Sequence, residues 1–319
     1  HIDNRSWVDG RESPKQTSGA SADRMAEQSD SNDENTTNIG HPRELWPDIF
    51  RPLDAMVDAV EGWVHAVESV PEDPLNNLKI GMSIRAVNIL KCVKLLAGGG
   101  HWEDVAILTR SIFELLLHLE EVLRDPNSQQ QRAARFIKYG RLQEYLHAKA
   151  NAEYDVARRR FRGDTAQLRE LDKLTLDAFP EFLEKSKDKR KPPRWARSWC
   201  DKSVKQLASD SANQMRPHQY ALLYRFTSDM VHSSPLSLTG ATHLGMMGGK
   251  TDEEILARDK AKMTEFVTMA VMLCGEIVML LGDTLPGYDP TVFLRILNMV
   301  FELYGVDVST QMEANVSND

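Results

Sequence analysis

The stretch "MTEFVTMAVMLCGEIVMLLG", residues 263 to 282, decides the fold, because it is apolar almost all round. It is either a membrane span or the central helix of a bundle. Its uninterrupted apolar run falls short of the roughly 20 residues that a bilayer requires. Glu276 breaks that run, and the segment sits between amphipathic helices in an acidic chain. A helix hydrophobic on every side is then a core helix, with Met263, Met269, Met272 and Met279 as adaptable fillers. No membrane partner is expected.

The flanking segments agree. "LWPDIFRPLDAMVDAVEGWVHAVESV", from Leu45, spaces Ile49, Leu53, Met56, Val57, Val60, Val64 and Val67 along one helix face. "PLNNLKIGMSIRAVNILKCVKLLAGGG" follows a Pro-Glu-Asp-Pro turn and ends in three glycines, the signature of a helix C-terminus. "WEDVAILTRSIFELLLHLEEVLRDP" opens with acids in its first turn and stops at Asp125-Pro126. A fourth helix is expected from Gln129 to about Arg162, a fifth over "LRELDKLTLDAFPEFLEK", and a last one over "PTVFLRILNMVFELYGV". No alternating strand pattern of any length occurs, so the expected fold is all-α: a multi-helix bundle of antiparallel hairpins around one core.

The organisation around that bundle follows from composition. Residues 1–42 are rich in Ser, Asp, Asn, Thr and Gly and poor in aliphatic residues, too little to offset their ordering entropy, so a disordered polar tail is expected. Met25 falls where a natural start fits, so residues 1–24 are expected to be upstream sequence that is not native. Residues 43–305 then form a single helical domain, and 306–319 a second polar tail. Cys92, Cys200 and Cys274 lie far apart with no CxxC pair, which indicates neither a disulfide framework nor zinc and fits a reducing cytoplasm.

The net charge of −8 argues against a surface that coats nucleic acid as a whole. Residues 132–205 nevertheless carry 20 Lys or Arg against 11 Asp or Glu, a local excess of 9. That region reads either as solvated helix faces and loops or as a basic surface for RNA.

Two polar stripes are the candidate functional residues. In "YALLYRFTSDMVHSSP", Arg225, Ser228, Asp229 and His232 fall at i, i+3, i+4 and i+7, on one helix face. They are either a solvent stripe with an Arg225–Asp229 pair, or the lining of a cleft in which His232 exchanges protons and Arg225 holds an oxyanion. In "TRSIFELLLHLEE", Arg110, Glu114 and His118 recur every four residues in a helix otherwise built of Ile, Phe and Leu. A charge on such a helix is costly unless paired, so Arg110 and Glu114 are expected to be a largely buried ion pair in contact with the helix that carries His232. Such a pair either fixes helix register or supports a site. The ExxH spacing of di-iron bundles is absent, since Glu61–His65 and Glu114–His118 are each four apart; neither a metal nor another cofactor is expected.

"RSIFE", "RAARFIKYG" and "YRFTSDMVHSSP", in that order, resemble the bacterial family called domain of unknown function 5677 over about Trp63 to Leu281, which implies an all-α fold. More loosely, Arg225 followed by His232 is similar to the arginine and histidine motif of HEPN-type helical domains. Many of those cleave RNA without a metal, in toxin and phage-defence systems, with both residues acting on the scissile phosphate at a dimer interface. Only Arg225 and His232 match that motif, and Phe226 stands where a polar residue normally follows the arginine. The resemblance implies Arg225 and His232 as catalytic and a homodimer; the polar stripes and neighbouring tyrosines add Arg110, Glu114, Tyr220, Tyr224, Ser228 and Asp229 in support, and the basic region 132–205 is the expected RNA surface. The alternatives are a non-catalytic bundle that binds a partner protein, its Arg, Glu and His stripes structural, and a small-molecule enzyme using Arg110, Glu114 and His232.

Overall fold

The computed structural model describes residues 41–67, 73–157, 165–184, 193–231, 252–282 and 286–306. At a few helical positions, Arg225 and Asp229 among them, it describes the backbone alone. The N-terminal tail, expected to be disordered, and the C-terminal polar tail lie outside the described residues except at their edges.

Ten α-helices are present among the described residues. They are α1 (Pro42–Leu45), α2 (Pro47–His65), α3 (Pro74–Gly98), α4 (Trp102–Leu123) and α5 (Gln129–Ala157). After them come α6 (Thr165–Ala178), α7 (Val204–Asp210), α8 (Arg216–Val231), α9 (Asp252–Leu281) and α10 (Pro290–Leu303). Two antiparallel strands of two residues each, β1 (Leu183–Glu184) and β2 (Arg194–Trp195), make the only sheet among the described residues. The fold is therefore all-α.

Local chemistry sets the helix ends. Asp73 accepts from the Leu75 N–H at the start of α3, Pro74 takes the first helical position, and Asp289 with Pro290 repeats the device on α10. Between α3 and α4, Gly100 adopts φ 81°, a left-handed conformation that lets the His101 N–H reach back to the Leu96 carbonyl at 3.0 Å and folds the two helices into a hairpin. The fifth helix ends sooner than its pattern suggests. Pro180 cannot continue it, so α6 stops at Ala178 and the chain passes through a 3₁₀ turn, Pro180–Phe182, into β1. A short helix unmarked by periodicity, α7, is fixed by a capping box in which Ser203 and Gln206 bond each other's backbone N–H.

At the centre α4 packs against α9, with α3 and α2 completing the core, α10 over α2 and α9, and α8 laid along α4. Ile112, Phe113, Leu116 and Leu117 of α4 face Phe266, Val267, Val271, Cys274 and Ile277 of α9 in one buried cluster. Each such side chain contributes about 1.5–3 kcal/mol by leaving water. Helix α9 is long and apolar enough to cross a bilayer, but 61% of its apolar window is buried against the other helices. Met263 is fully buried, as a filler should be; Met279 is 56% exposed, because the inward positions run through Val271, Cys274 and Val278 and leave Met279 on the opposite side. Gly275 is where α10 comes closest: a Cβ there would stand 1.8 Å from Phe293 Cε2. A smaller cluster, Leu142, Phe179, Phe182 and Ala196, seals α5 to the β1–β2 region.

Candidate functional site

Helix α8 meets α4 along Tyr220, Leu223, Tyr224 and Thr227, the i, i+3, i+4, i+7 positions of one face. Opposite them, Arg110 donates from Nε to Glu114 Oε1 at 2.9 Å and from Nη1 to Thr227 Oγ1 at 3.4 Å. Its guanidinium carbon lies 3.7 Å above the centre of the Tyr224 ring, within range of a cation–π contact. The Tyr224 hydroxyl donates to Glu114, and Tyr220 stacks on Tyr224 with ring centres 4.3 Å apart. Five side chains of the two helices thus form one network.

The two charges at its heart are less buried than the apolar character of α4 suggests, with side-chain exposures of 25% for Arg110 and 34% for Glu114. Both side chains therefore remain partly reached by solvent. Burial opposes the charge on Arg110, but Glu114 and Tyr224 together more than offset it, and the guanidinium stays cationic. Burial and the adjacent Glu114 carboxylate push the Tyr224 phenol well above its ordinary value of 10, so it serves as a proton donor and not as a base.

The other candidates take different positions. Ser228 lies half-buried, one turn beyond Tyr224. Arg225 and Asp229 belong to α8, but their side chains lie outside the described residues, as does all of His232. His118 parts company with Arg110 and Glu114, as it turns toward Phe136 of α5 and the loop after β2, where Trp199 Nε1 donates to its Nδ1 at 3.0 Å. Burial lowers its basicity below the ordinary imidazole value, with Glu114 and Glu121 opposing. Among the described residues no three His, Cys, Asp or Glu side chains form a metal-holding group, and all three cysteines are free.

Sequence reasoning missed a second polar centre that holds α8 in place. Arg216, at the first turn of α8, has a side chain only 2% exposed. It donates to Glu120 of α4 at 2.6 and 2.8 Å, to Gln219 at 2.8 Å, and to Glu276 of α9. The signal was in the opening stretch: Glu276 interrupts an apolar helix because it faces a buried arginine. Glu121, also buried, gathers Arg124, Arg132 and Lys202 in the same manner.

No curated protein and no solved structure matches the chain significantly. A family model does match residues 76–250, more than half of the 319-residue chain, from α3 through α8 and so across both polar centres except Glu276. The chain belongs to that family, described as a family of unknown function, DUF5677.

Proposed function

We propose that the protein is a metal-independent RNA-cleaving enzyme, of the kind the HEPN resemblance implies, working at the seam between α4 and α8. One observation carries the reading: a permanently charged arginine, Arg110, is fixed by Glu114 across the ring of Tyr224, and the next residue on that helix is Arg225. Arg110 and Glu114 keep partial access to solvent, which a substrate strand needs to reach them.

The chemistry assigned to these residues is transesterification. The ribose 2′-oxygen attacks the adjacent phosphorus, a P–O2′ bond forms, the P–O5′ bond breaks, and a 2′,3′-cyclic phosphate remains. His232 accepts the 2′-hydroxyl proton or returns one to the departing 5′-oxygen, a role worth about 10²- to 10⁴-fold. Arg225 neutralises the charge that grows on the phosphorane oxygens, and the fixed Arg110 holds the strand beside it. Exposed Arg141, Arg169, Lys173, Arg197 and Lys205, which have no ion pair among the described residues, are the cations left to follow the RNA backbone.

A second reading, a non-catalytic bundle that binds a partner protein, draws on the rest of the basic region. Arg132, Arg135, Lys138, Lys149 and Lys202 each meet an acidic side chain, which neutralises much of the local charge. The two readings separate on single-stranded RNA in EDTA. The nuclease cuts it, leaves cyclic phosphate ends, and stops at a 2′-deoxy substitution at the scissile nucleotide. Intact RNA, or cutting that requires an added divalent ion, rules that mechanism out.

A further inference from the structure

A cleft of about 570 Å³ opens between α4, α5 and the loop that follows β2, away from the seam. Its size is that of small-molecule sites. The rings of Phe136, Tyr139 and Trp199 line it together with His118. Phe136 and Trp199 meet edge to face with centroids 5.4 Å apart, and His118 stands 5.7 Å from Phe136.

The loop that closes this cleft has almost no regular structure, yet it is pinned at several points. Arg135 donates to the Trp199 carbonyl, the Tyr139 hydroxyl to the Ala196 carbonyl at 3.0 Å, and Trp199 Nε1 to His118. Asp201, on the rim, has φ 58°, the only left-handed backbone outside glycine among the described residues. Such conformations persist where the surroundings over-determine them, and they gather at ligand sites. Because His118 Nδ1 accepts from Trp199, the proton of the neutral ring sits on Nε2, a donor with no hydrogen-bond partner among the described residues.

The charges around the rim are unequal in their freedom. Glu184 is paired with Arg194 at 3.0 Å and Asp201 with Arg135 at 3.7 Å, while Lys202 is shared by Glu121 and Asp210. Arg197 is exposed and has no ion pair among the described residues. The cleft therefore offers an aromatic wall, a neutral ring donor within, and one uncommitted guanidinium at its mouth. An aromatic wall accepts any flat heterocycle by stacking, and a free guanidinium grips phosphate through two parallel hydrogen bonds.

We propose that this cleft binds one nucleoside monophosphate unit, its base against the half-buried Phe136 and Tyr139 rings, backed by the buried Trp199, and its phosphate on Arg197. The unit is either a free nucleotide or one residue of a single-stranded RNA, and the proposal holds whether or not the chain cleaves RNA.

The test is calorimetric titration of the full chain with each common nucleoside monophosphate, with the matching nucleosides, with inorganic phosphate, and with a 2′-O-methyl oligonucleotide that cannot be cut. At least one monophosphate should bind with Kd below about 1 mM, roughly tenfold tighter than its nucleoside or phosphate alone. Arg197→Ala, on the surface and harmless to the core, should weaken that monophosphate roughly tenfold and leave the nucleoside unchanged. An oligonucleotide that binds tighter and competes identifies RNA as the source; one that binds no better identifies a free nucleotide. No heat from any monophosphate at millimolar concentration, or an Arg197→Ala variant that binds as wild type, overturns the proposal. Cleavage plays no part in these readings, so a failed nuclease test leaves them intact.

Discussion

Arg216→Ala should be the most damaging single truncation on the polar side of α8. Wild-type Arg216 is 2% exposed and sits between Glu120 and Glu276, themselves 19% and 29% exposed. Its removal leaves two facing carboxylates with their shared counter-charge gone, and loss of one partner from a buried ion pair costs about 3–5 kcal/mol. For a domain of this size, at about 2 °C per kcal/mol, that corresponds to a fall in Tm of roughly 6–10 °C. Arg110→Ala, which breaks a pair a quarter to a third exposed, should cost only about 1 kcal/mol after solvent screening. Replacing the whole triad by Arg216→Met, Glu120→Leu and Glu276→Met should return stability to near wild type, because no charge is then left unpaired. Chemical denaturation monitored by circular dichroism measures all three. A loss below about 1 kcal/mol for Arg216→Ala with native helix content, or a triple variant as weak as the single one, would refute the reasoning.

Three further outcomes follow from particular contacts. His118 has a folded-state pKa below its ordinary 6.5 because it is buried, so the unfolded chain takes up this proton first as pH falls; its stability contribution is present above about pH 6.5 and is lost below it. His118→Gln should flatten the acid side of a urea-midpoint profile between about pH 7 and 5, and an unchanged profile would show that His118 does not titrate there. Gly275→Ala places a Cβ against Phe293 and should cost about 1–3 kcal/mol, with Phe293→Leu restoring part of it in the double variant. Removal of residues 1–24, whose composition supports no packing, should leave the unfolding free energy within about 0.5 kcal/mol of wild type.

Much of the fold was legible because helical periodicity is a local signal. The α2 face, the Gly98–Gly100 stop and the apolar character of α4 and α9 each declare themselves within one segment. The site was legible only in part, since it depends on which face of one helix meets another. Arg110, Glu114 and His118 share a stripe on α4, yet the first two turn to Tyr224 while His118 turns to Trp199. Thr227 was hidden for the same reason, as its role comes from a helix more than 100 residues away in the chain. Arg216 reads as one more arginine at the edge of a loop, and only the approach of α9 makes it a buried centre. The Trp199 cleft depends on an irregular loop that no period describes.

The central claim is that the α4–α8 seam cleaves RNA through His232 and Arg225. Its most direct test is the single-turnover cleavage rate of single-stranded RNA in EDTA, compared between wild type and His232→Ala preparations of equal helix content. The account predicts cleavage by the wild type and a rate about 10²- to 10⁴-fold lower for the variant. A wild-type chain that leaves RNA intact, or a His232→Ala chain that cuts it as fast, would contradict it.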